Sequence, residues 1–232
     1  MIDYKQMFPK IGISVNIFGK NNEDCIERAL KSVVPFANEI IYLDTGSTDN
    51  TIDIVKKYTD KIHIQKVWPM DYSYCRNFLI SKSEMQWILA IDTDEVVTNQ
   101  FAEKIRGLLN NFKYIQRPIN FIFFKMINLI QDEKHIAGIL DNNFFLFHPR
   151  LYKRIGSQWI GKVHEQYKGK GEGMFWDMFG LVHYNLLMIE RLRKKDGRQW
   201  VKDLSDEKLA NLYAHNAPIN KLPKEITWLT KS

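Results

Sequence analysis

The sequence has little that would tie it to an oxidising or a membrane environment. Only two of its 232 residues are cysteine, Cys25 and Cys75, and neither has a CxxC or Cys/His companion. No disulfide framework or thiolate metal site is predicted, and reduced thiols in a cytoplasmic protein are the expectation. The opening Met1-Ile2-Asp3-Tyr4-Lys5 lacks an apolar core behind a basic start, so no signal peptide is expected. The most apolar run, residues 121–130, is about half the length a membrane helix needs and contains Lys125 and Asn128. It reads as a strand, which predicts no membrane span and leaves peripheral membrane contact open. Internal repeats and low-complexity linkers are also absent.

What the chain does have is apolar content and a modest basic surplus. At 45% hydrophobic residues it can bury a sizeable core, as one large domain or a domain with a small appendage. Its 33 basic and 27 acidic residues give +6 and a pI near 9.1. That balance suits an anionic partner such as a phosphate-bearing ligand, a nucleic acid or a lipid headgroup, though a surplus of this size also serves plain solubility.

The stretch Trp87-Ile88-Leu89-Ala90-Ile91-Asp92-Thr93-Asp94-Glu95 organises the rest. A buried strand runs into three carboxylates, whose mutual repulsion is tolerable mainly with a cation between them, which points to a metal site. Upstream, residues 11–17 alternate as a strand, Ile26, Leu30, Val33 and Val34 recur at helical spacing with cap residues in 22–24, and Pro35 ends the run. Residues 39–43 form a second strand, leading to the turn Asp44-Thr45-Gly46-Ser47-Thr48-Asp49-Asn50 and a helix to about Tyr58, capped by Thr48 or Asp49. A third strand at 62–67, a helix at 72–81, the fourth strand at 87–91 and a helix at about 100–109 complete an alternating first half. The pattern predicts an α/β fold: parallel strands, helices on both faces, and ligands at the strands' carboxyl ends. The acidic stretch and the Asp44 turn both lie at such ends. Beyond residue 110, aromatic strands at 120–129 and 144–147, the polar turn 131–134 and five glycines between 156 and 173 predict antiparallel strands and loops that complete the site. Residues 188–213 are helical in pattern and basic at their start.

Four segments, in order and spacing, resemble family 2 glycosyltransferases of the GT-A fold: Lys20-Asn21-Asn22-Glu23-Asp24, residues 39–51 with their Asp-Thr-Gly-Ser-Thr-Asp turn, Tyr74-Cys75-Arg76-Asn77, and Asp92-Thr93-Asp94-Glu95 as an Asp-x-Asp motif. The resemblance covers roughly residues 10–185. Residues 150–154, Gly161-Lys162-Val163-His164-Glu165 and Val182-His183-Tyr184 resemble the branch that holds lipopolysaccharide-core sugar transferases and bacteriocin peptide glycosyltransferases. It implies one GT-A domain over 1–185, with a nucleotide-sugar half (1–110) and an acceptor half (111–185), followed by a basic helical segment at 186–232. Two features depart from the pattern. Asn22 stands where the family often has Glu, which would move that contact to Glu23 or remove it. The long helical-repeat extension of peptide-modifying members does not follow before Ser232, so acceptor recognition by that route is not expected.

The resemblance implies an inverting, metal-dependent transfer of a hexose or N-acetylhexosamine from a UDP-sugar to a peptide Ser or Cys side chain, or alternatively to a lipopolysaccharide-core or cell-envelope glycan. A departing diphosphate needs its charge neutralised, and hard oxygen ligands suit Mn²⁺ or Mg²⁺. The implied metal ligands are Asp92, Asp94 and, from the branch's histidine, His183; a core histidine is the plain alternative for His183. The implied donor contacts are Asn21, Asp44, Arg76, Asn77 and Asp92, against a turn-stabilising role for Asp44 and a surface role for Arg76. Glu165 is implied as the base, with His164 orienting it or contacting the donor, against a His-Glu pair that only orders its loop. Arg150 and Arg191 are expected to clamp the diphosphate or meet an anionic acceptor, the plain alternative being a solvated helix face. Trp159, Phe175 and Trp176 either stack on a sugar or fill the core. A nucleotidyltransferase would need a better glycine-rich basic loop than Phe18-Gly19-Lys20-Asn21, and a non-catalytic sugar or nucleic-acid binding module rests on charge alone; no nucleic-acid partner is expected.

Overall fold

Alternation of apolar with small polar residues makes Lys10–Gly19 a strand, β1, whose Ile13, Val15 and Ile17 point to one face and Ser14 and Asn16 to the other. The computed structural model describes residues 10–67, 70–111, 119–129, 135–137, 149–184 and 219–221. The strand expected at 144–147, the turn at 131–134, the helix at 188–213 and Arg191 lie outside the described residues.

After β1 come α1 (Ile26–Val33), β2 (Glu39–Asp44), α2 (Thr51–Val55), β3 (Ile62–Ile64), α3 (Tyr72–Lys82) and β4 (Met85–Ala90). β1 is flanked by β2 and β4, and β2 by β3, all parallel. Helices cover both faces, as the alternation predicts. Ile26, Ala29, Leu30 and Val33 of α1 form a one-sided stripe that packs on Ile13, Val15, Ile40, Tyr42 and Leu89, together with Phe101 and Ile105 of α4 (Asn99–Asn111). On the opposite face Cys75 and Leu79 of α3 pack on Phe18, Ile41 and Leu43. Burying each such aliphatic side chain contributes about 1.5–3 kcal/mol.

Local details differ from expectation. The α1 cap, Cys25, makes no side-chain cap bond; instead the Asn22 carbonyl accepts from the Cys25 and Ile26 amides. α2 stops at Val55 instead of about Tyr58, with Asp49 accepting from the Thr51 amide at 3.1 Å, and β3 is half the expected length. α3 opens on a bond the sequence reading did not single out, from the Tyr74 amide to the Asp71 carboxylate at 2.9 Å.

The second half is mixed, not purely antiparallel. β5 (Glu95–Val97), β6 (Ile119–Leu129), β7 (His135–Ala137), β8 (Leu151–Lys153), β11 (Glu172–Tyr184) and β12 (Ile219–Lys221) join β1–β4 in one ten-stranded sheet. β8 lies antiparallel between β4 and β6, but β11 runs parallel to β6 and antiparallel to β5. The reason is an excursion. β9 (Ser157–Ile160) and β10 (Gln166–Gly169) form a separate antiparallel hairpin, after which the chain returns to the far edge of β6 in the same direction. Among the described residues, no helix is long and apolar enough to cross a membrane.

Parallel pairing in register (Gly19 with Asp44, Asn16 with Ala90) puts the loops after β1, β2 and β4 at one end of the sheet. The loops are tied together there: the Asn22 amide donates to Thr51 Oγ1 at 2.7 Å and the Asn50 amide to Glu23 Oε2 at 2.9 Å. A Cβ on Gly19 would sit 2.7 Å from Thr93 Cγ2, so glycine is what lets the 92–94 turn close on the end of β1.

At the opposite end, buried Glu39 joins β1, β2 and β4. It accepts from Ser14 Oγ and from the Glu84 amide at 2.7 Å, and it pairs with Lys61. Burial works against its charge, but the Lys61 and Ser14 bonds outweigh this and lower its pKa from 4.5. A lowered folded-state pKa gives stability that is present above the unfolded value and lost as pH falls through the folded one. In urea titrations, stability should therefore decline as pH drops below about 4.5, and Glu39→Gln should be less stable at neutral pH with a flatter acid limb.

Candidate active site

The acidic stretch folds as a closed turn. The Glu95 amide donates to the Asp92 carbonyl at 3.1 Å, and Glu95 Oε2 accepts the Asp92 amide at 2.8 Å. This reciprocal pair fixes the direction of the Asp92 side chain. The positive charge facing the acids comes from two arginines. Arg150 Nη2 donates to Asp92 Oδ2 at 2.9 Å and to Glu95 Oε1 at 2.6 Å, and Arg76 Nη2 donates to Asp92 Oδ1 at 3.1 Å. Arg76 continues outward, its Nε donating to Glu165 Oε1 at 2.7 Å. The result is an ion-pair chain Glu165–Arg76–Asp92–Arg150–Glu95, in which the arginine side chains are only 6% and 10% exposed and Asp92 is 37% exposed. Such charge-assisted pairs are strong because each desolvated cation has carboxylates on both sides.

The electrostatics follow from this order. Burial disfavours the Asp92 charge, but Arg150 and then Arg76 hold the carboxyl well below the usual range. Glu95 goes the other way: burial pushes it up to about 7, against Arg150 and with the help of the Asp92 charge. One acid is thus kept ionised and its neighbour three residues on is made harder to ionise.

Tyr72, Arg76, Asp92, Arg150, Trp159, His164 and Glu165 line a cavity of about 300 Å³. Four elements deliver them. α3 brings Tyr72 and Arg76, one turn apart; the turn after β4 brings Asp92; Arg150 precedes β8; and the β9–β10 hairpin brings the rest. The hairpin loop is shaped by left-handed backbone at Gly161 (φ 91°) and at His164 (φ 56°), which is uncommon for a residue with a Cβ. His164 is exposed, whereas the Glu165 side chain is only 14% exposed.

The other expected residues fall as follows. Asp94 and His183 come together, Asp94 Oδ2 lying 3.6 Å from His183 Nε2 across the β5–β11 pairing. Burial disfavours an imidazolium at His183, but the Asp94 hydrogen bond and the surrounding acids raise its pKa overall. No group of three or more His, Cys, Asp or Glu poised around an ion is found among the described residues. Asp44 is fully buried at the end of β2. Its Oδ2 accepts from the Gly46 and Ser47 amides at 2.9 and 2.8 Å, and among the described residues its Oδ1 has no hydrogen-bond partner. Asn21, with φ 54°, accepts from the Thr48 amide at 2.8 Å and so ties the first loop to the second.

Asn77 is used differently from the expected donor contact. Its Nδ2 donates to the Trp159 carbonyl at 2.8 Å and its Oδ1 accepts the Trp159 amide at 2.9 Å, which commits both ends of the side chain to the hairpin. Trp159 itself is 2% exposed and joins Tyr152 and Tyr167 in an aromatic cluster, with its ring under the Arg76 guanidinium at 4.9 Å. The core reading thus accounts for most of its surface. Both cysteines are buried, and burial pushes the Cys75 thiol up to about 11, which leaves no reactive thiolate there. The sequence reading missed Glu95 as the second partner of Arg150 and Tyr72 as a cavity wall. The only available signals were the i,i+3 spacing of Asp92 and Glu95 and the i,i+4 spacing of Tyr72 and Arg76.

A family model described as glycosyl transferase family 2 matches residues 14–163. The chain is 30% identical over 155 residues to the SPbeta prophage-derived glycosyltransferase SunS of Bacillus subtilis (strain 168), covering 66% of this chain and 34% of that protein. It is 33% identical over 113 residues to an uncharacterized glycosyltransferase of Rickettsia typhi, covering 47% of this chain and 38% of that protein. The chain thus spans about a third of the length of the curated relatives it matches. Among solved structures, it resembles S. aureus TarS 1-349 in complex with UDP (TM-score 0.56, 15% identity, 89% of this chain and 70% of that one). It also resembles the same protein in complex with UDP-GlcNAc (TM-score 0.54, 13% identity, 93% and 69%). At these identities the likeness establishes the fold, the GT-A arrangement.

Arg150 balances two carboxylates at once, so its loss should be costly whatever the site binds. Arg150→Ala should destabilise the fold by about 3–5 kcal/mol, the range for breaking a buried ion pair, as measured by urea unfolding at neutral pH. Arg150→Ala combined with Glu95→Gln should recover part of that loss.

Proposed function

Since the chain belongs to glycosyl transferase family 2, we propose that it transfers a sugar, with inversion, from a UDP-sugar to a Ser hydroxyl or Cys thiol of a peptide. The observation that carries this reading is the cavity at the carboxyl end of the parallel strands, where Arg76, Asp92 and Arg150 meet Glu165 and His164. UDP and UDP-GlcNAc are bound by TarS, which has the same fold, and this supports a uridine-diphosphate donor here. The buried Oδ1 of Asp44, which has no hydrogen-bond partner among the described residues, suits a uracil imide N–H or a ribose hydroxyl. The peptide acceptor rests on the branch resemblance of residues 161–165 and 182–184.

The residues fit a divalent ion in part. Both Asp92 oxygens already accept from guanidinium groups, so the ligands would be Asp94 and His183, with diphosphate oxygens and water completing the shell. When bound, Mn²⁺ or Mg²⁺ supplies charge neutralisation for the departing diphosphate. Arg76 and Arg150 add two fixed positive charges beside it. Glu165, hydrogen-bonded to Arg76 at Nε while Asp92 takes its Nη2, accepts the proton from the acceptor hydroxyl or thiol as the acceptor's oxygen or sulfur bonds to the anomeric carbon. The bond from that carbon to the UDP oxygen breaks, and UDP leaves with the electron pair. A thiol acceptor, being more acidic, would depend less on the base.

The test is UDP release from UDP-glucose, UDP-galactose and UDP-GlcNAc with and without Mn²⁺. Asp94→Asn should abolish metal-dependent turnover, and unchanged turnover would overturn the metal assignment. Glu165→Gln should bind UDP as the parent does while transfer falls about 10²- to 10⁴-fold, the usual contribution of a general base. An equal loss of UDP affinity would make Glu165 a donor-site residue.

A further inference from the structure

Among the described residues the β9–β10 hairpin has no backbone ladder to the main sheet; Trp159 packs on Ile88, Ala90 and Tyr152 of that sheet, and polar contacts to the hairpin come from α3. The Tyr72 amide donates to the Lys162 carbonyl at 2.9 Å, Arg76 reaches Glu165, and Asn77 holds Trp159 at both backbone groups. All three contacts come from the first two turns of one helix. The first two act on the loop, while Asn77 alone grips the backbone of β9.

The geometry at Trp159 shows what this grip does. In an antiparallel pair, a residue directs both its N–H and its C=O either toward its partner strand or away from it. Trp159 turns both toward Asn77, so its pairing with Tyr167 on β10 is the close, non-hydrogen-bonded kind, consistent with ring centroids 5.6 Å apart. Asn77 therefore occupies the outer edge of β9 as a neighbouring peptide group would, donating and accepting once each. This fixes β9 along its own axis as well as in distance from α3, since sliding β9 by one residue would present no matching N–H and C=O pair. Glu165 lies six residues beyond Trp159, at the start of β10, and its placement depends on that register.

We infer that Asn77 is a positioning residue for Glu165, acting through the Trp159 backbone and not through the donor. The inference rests on the reading of Glu165 as the base. A misplacement of about 1 Å at a reacting group costs up to about 100-fold in rate, whereas the donor-side groups Asp44, Arg150 and Asp94 lie on other elements, and Arg76, next to Asn77 on α3, is held in place by Asp92.

The experiment compares the parent chain with Asn77→Ala, Asn77→Asp and Glu165→Gln, using UDP with Mn²⁺ as the binding probe and UDP release from the best UDP-sugar as the rate. Asn77→Ala should lower kcat about 10- to 100-fold per folded molecule, with the Kd for UDP and the KM for the UDP-sugar within about twofold of the parent. Asn77→Asp keeps the acceptor for the Trp159 N–H, so it covers the case in which the alanine variant does not fold; its kcat should fall less, again at constant Kd. A fall in Tm with unchanged kcat would reduce Asn77 to a structural clamp and overturn the inference. A Kd weakened by the same factor as kcat would make Asn77 a donor contact and also overturn it. Wild-type turnover in Glu165→Gln would overturn the base assignment and the inference with it, whereas an inactive Glu165→Gln beside a fully active Asn77→Ala would overturn the inference alone.

Discussion

Asp92 held between two buried arginines is the interaction on which the rest of the site depends. Without Asp92, Arg76 and Arg150 would be two like charges in a poorly solvated space, and without the arginines the 92–95 turn would be a cluster of repelling acids. Held together, they set the distance between the end of β4, the start of α3 and the residue that leads into β8. Because Arg76 also holds Glu165, the same arrangement extends from the strand ends to the hairpin. A phosphate-bearing ligand arriving here would find the positive charge already oriented, with the cost of ordering it met during folding.

The division of labour within the sheet follows from strand direction. Parallel strands gather their carboxyl ends, so β1, β2 and β4 supply loops to one rim with no further device than register. Antiparallel and excursion segments can bring residues from far along the chain to that rim. This is how Arg150, His183 and the hairpin come to face residues 55 to 90 positions earlier.

The first half was legible in the sequence because its determinants are local. Alternation at 11–17, the short apolar run at 39–43, the stripe on α1 and the small-residue turn after Asp44 each specify their structure within a few residues, and the structure places them there. The helix at 72–81 and the strand leading to Asp92 were legible for the same reason. The second half was read as antiparallel because short aromatic runs reveal strand character but not direction. The parallel β6–β11 pair is decided by where the chain goes between residues 130 and 172, and no local pattern encodes it. The site was half legible on the same principle. The spacing of Asp92 and Asp94 identified a charged focus, but that its nearest cations are Arg76 and Arg150 is a tertiary fact. Asn77 shows the limit most clearly: its identity suits a ligand contact and a backbone clamp equally well, and only the position of Trp159 separates them.

The isolation of the hairpin has a consequence for how the molecule opens. Two strands of four residues each are not stable alone in water, so β9 and β10 take their order from the aromatic cluster and the three α3 contacts. Segments held by few contacts open locally before the cores they rest on. The rim of the parallel strands and the hairpin loop thus occupy different rungs of the stability ladder. Fluctuations that open the hairpin leave the rim folded, with Asp92 still held by Arg150.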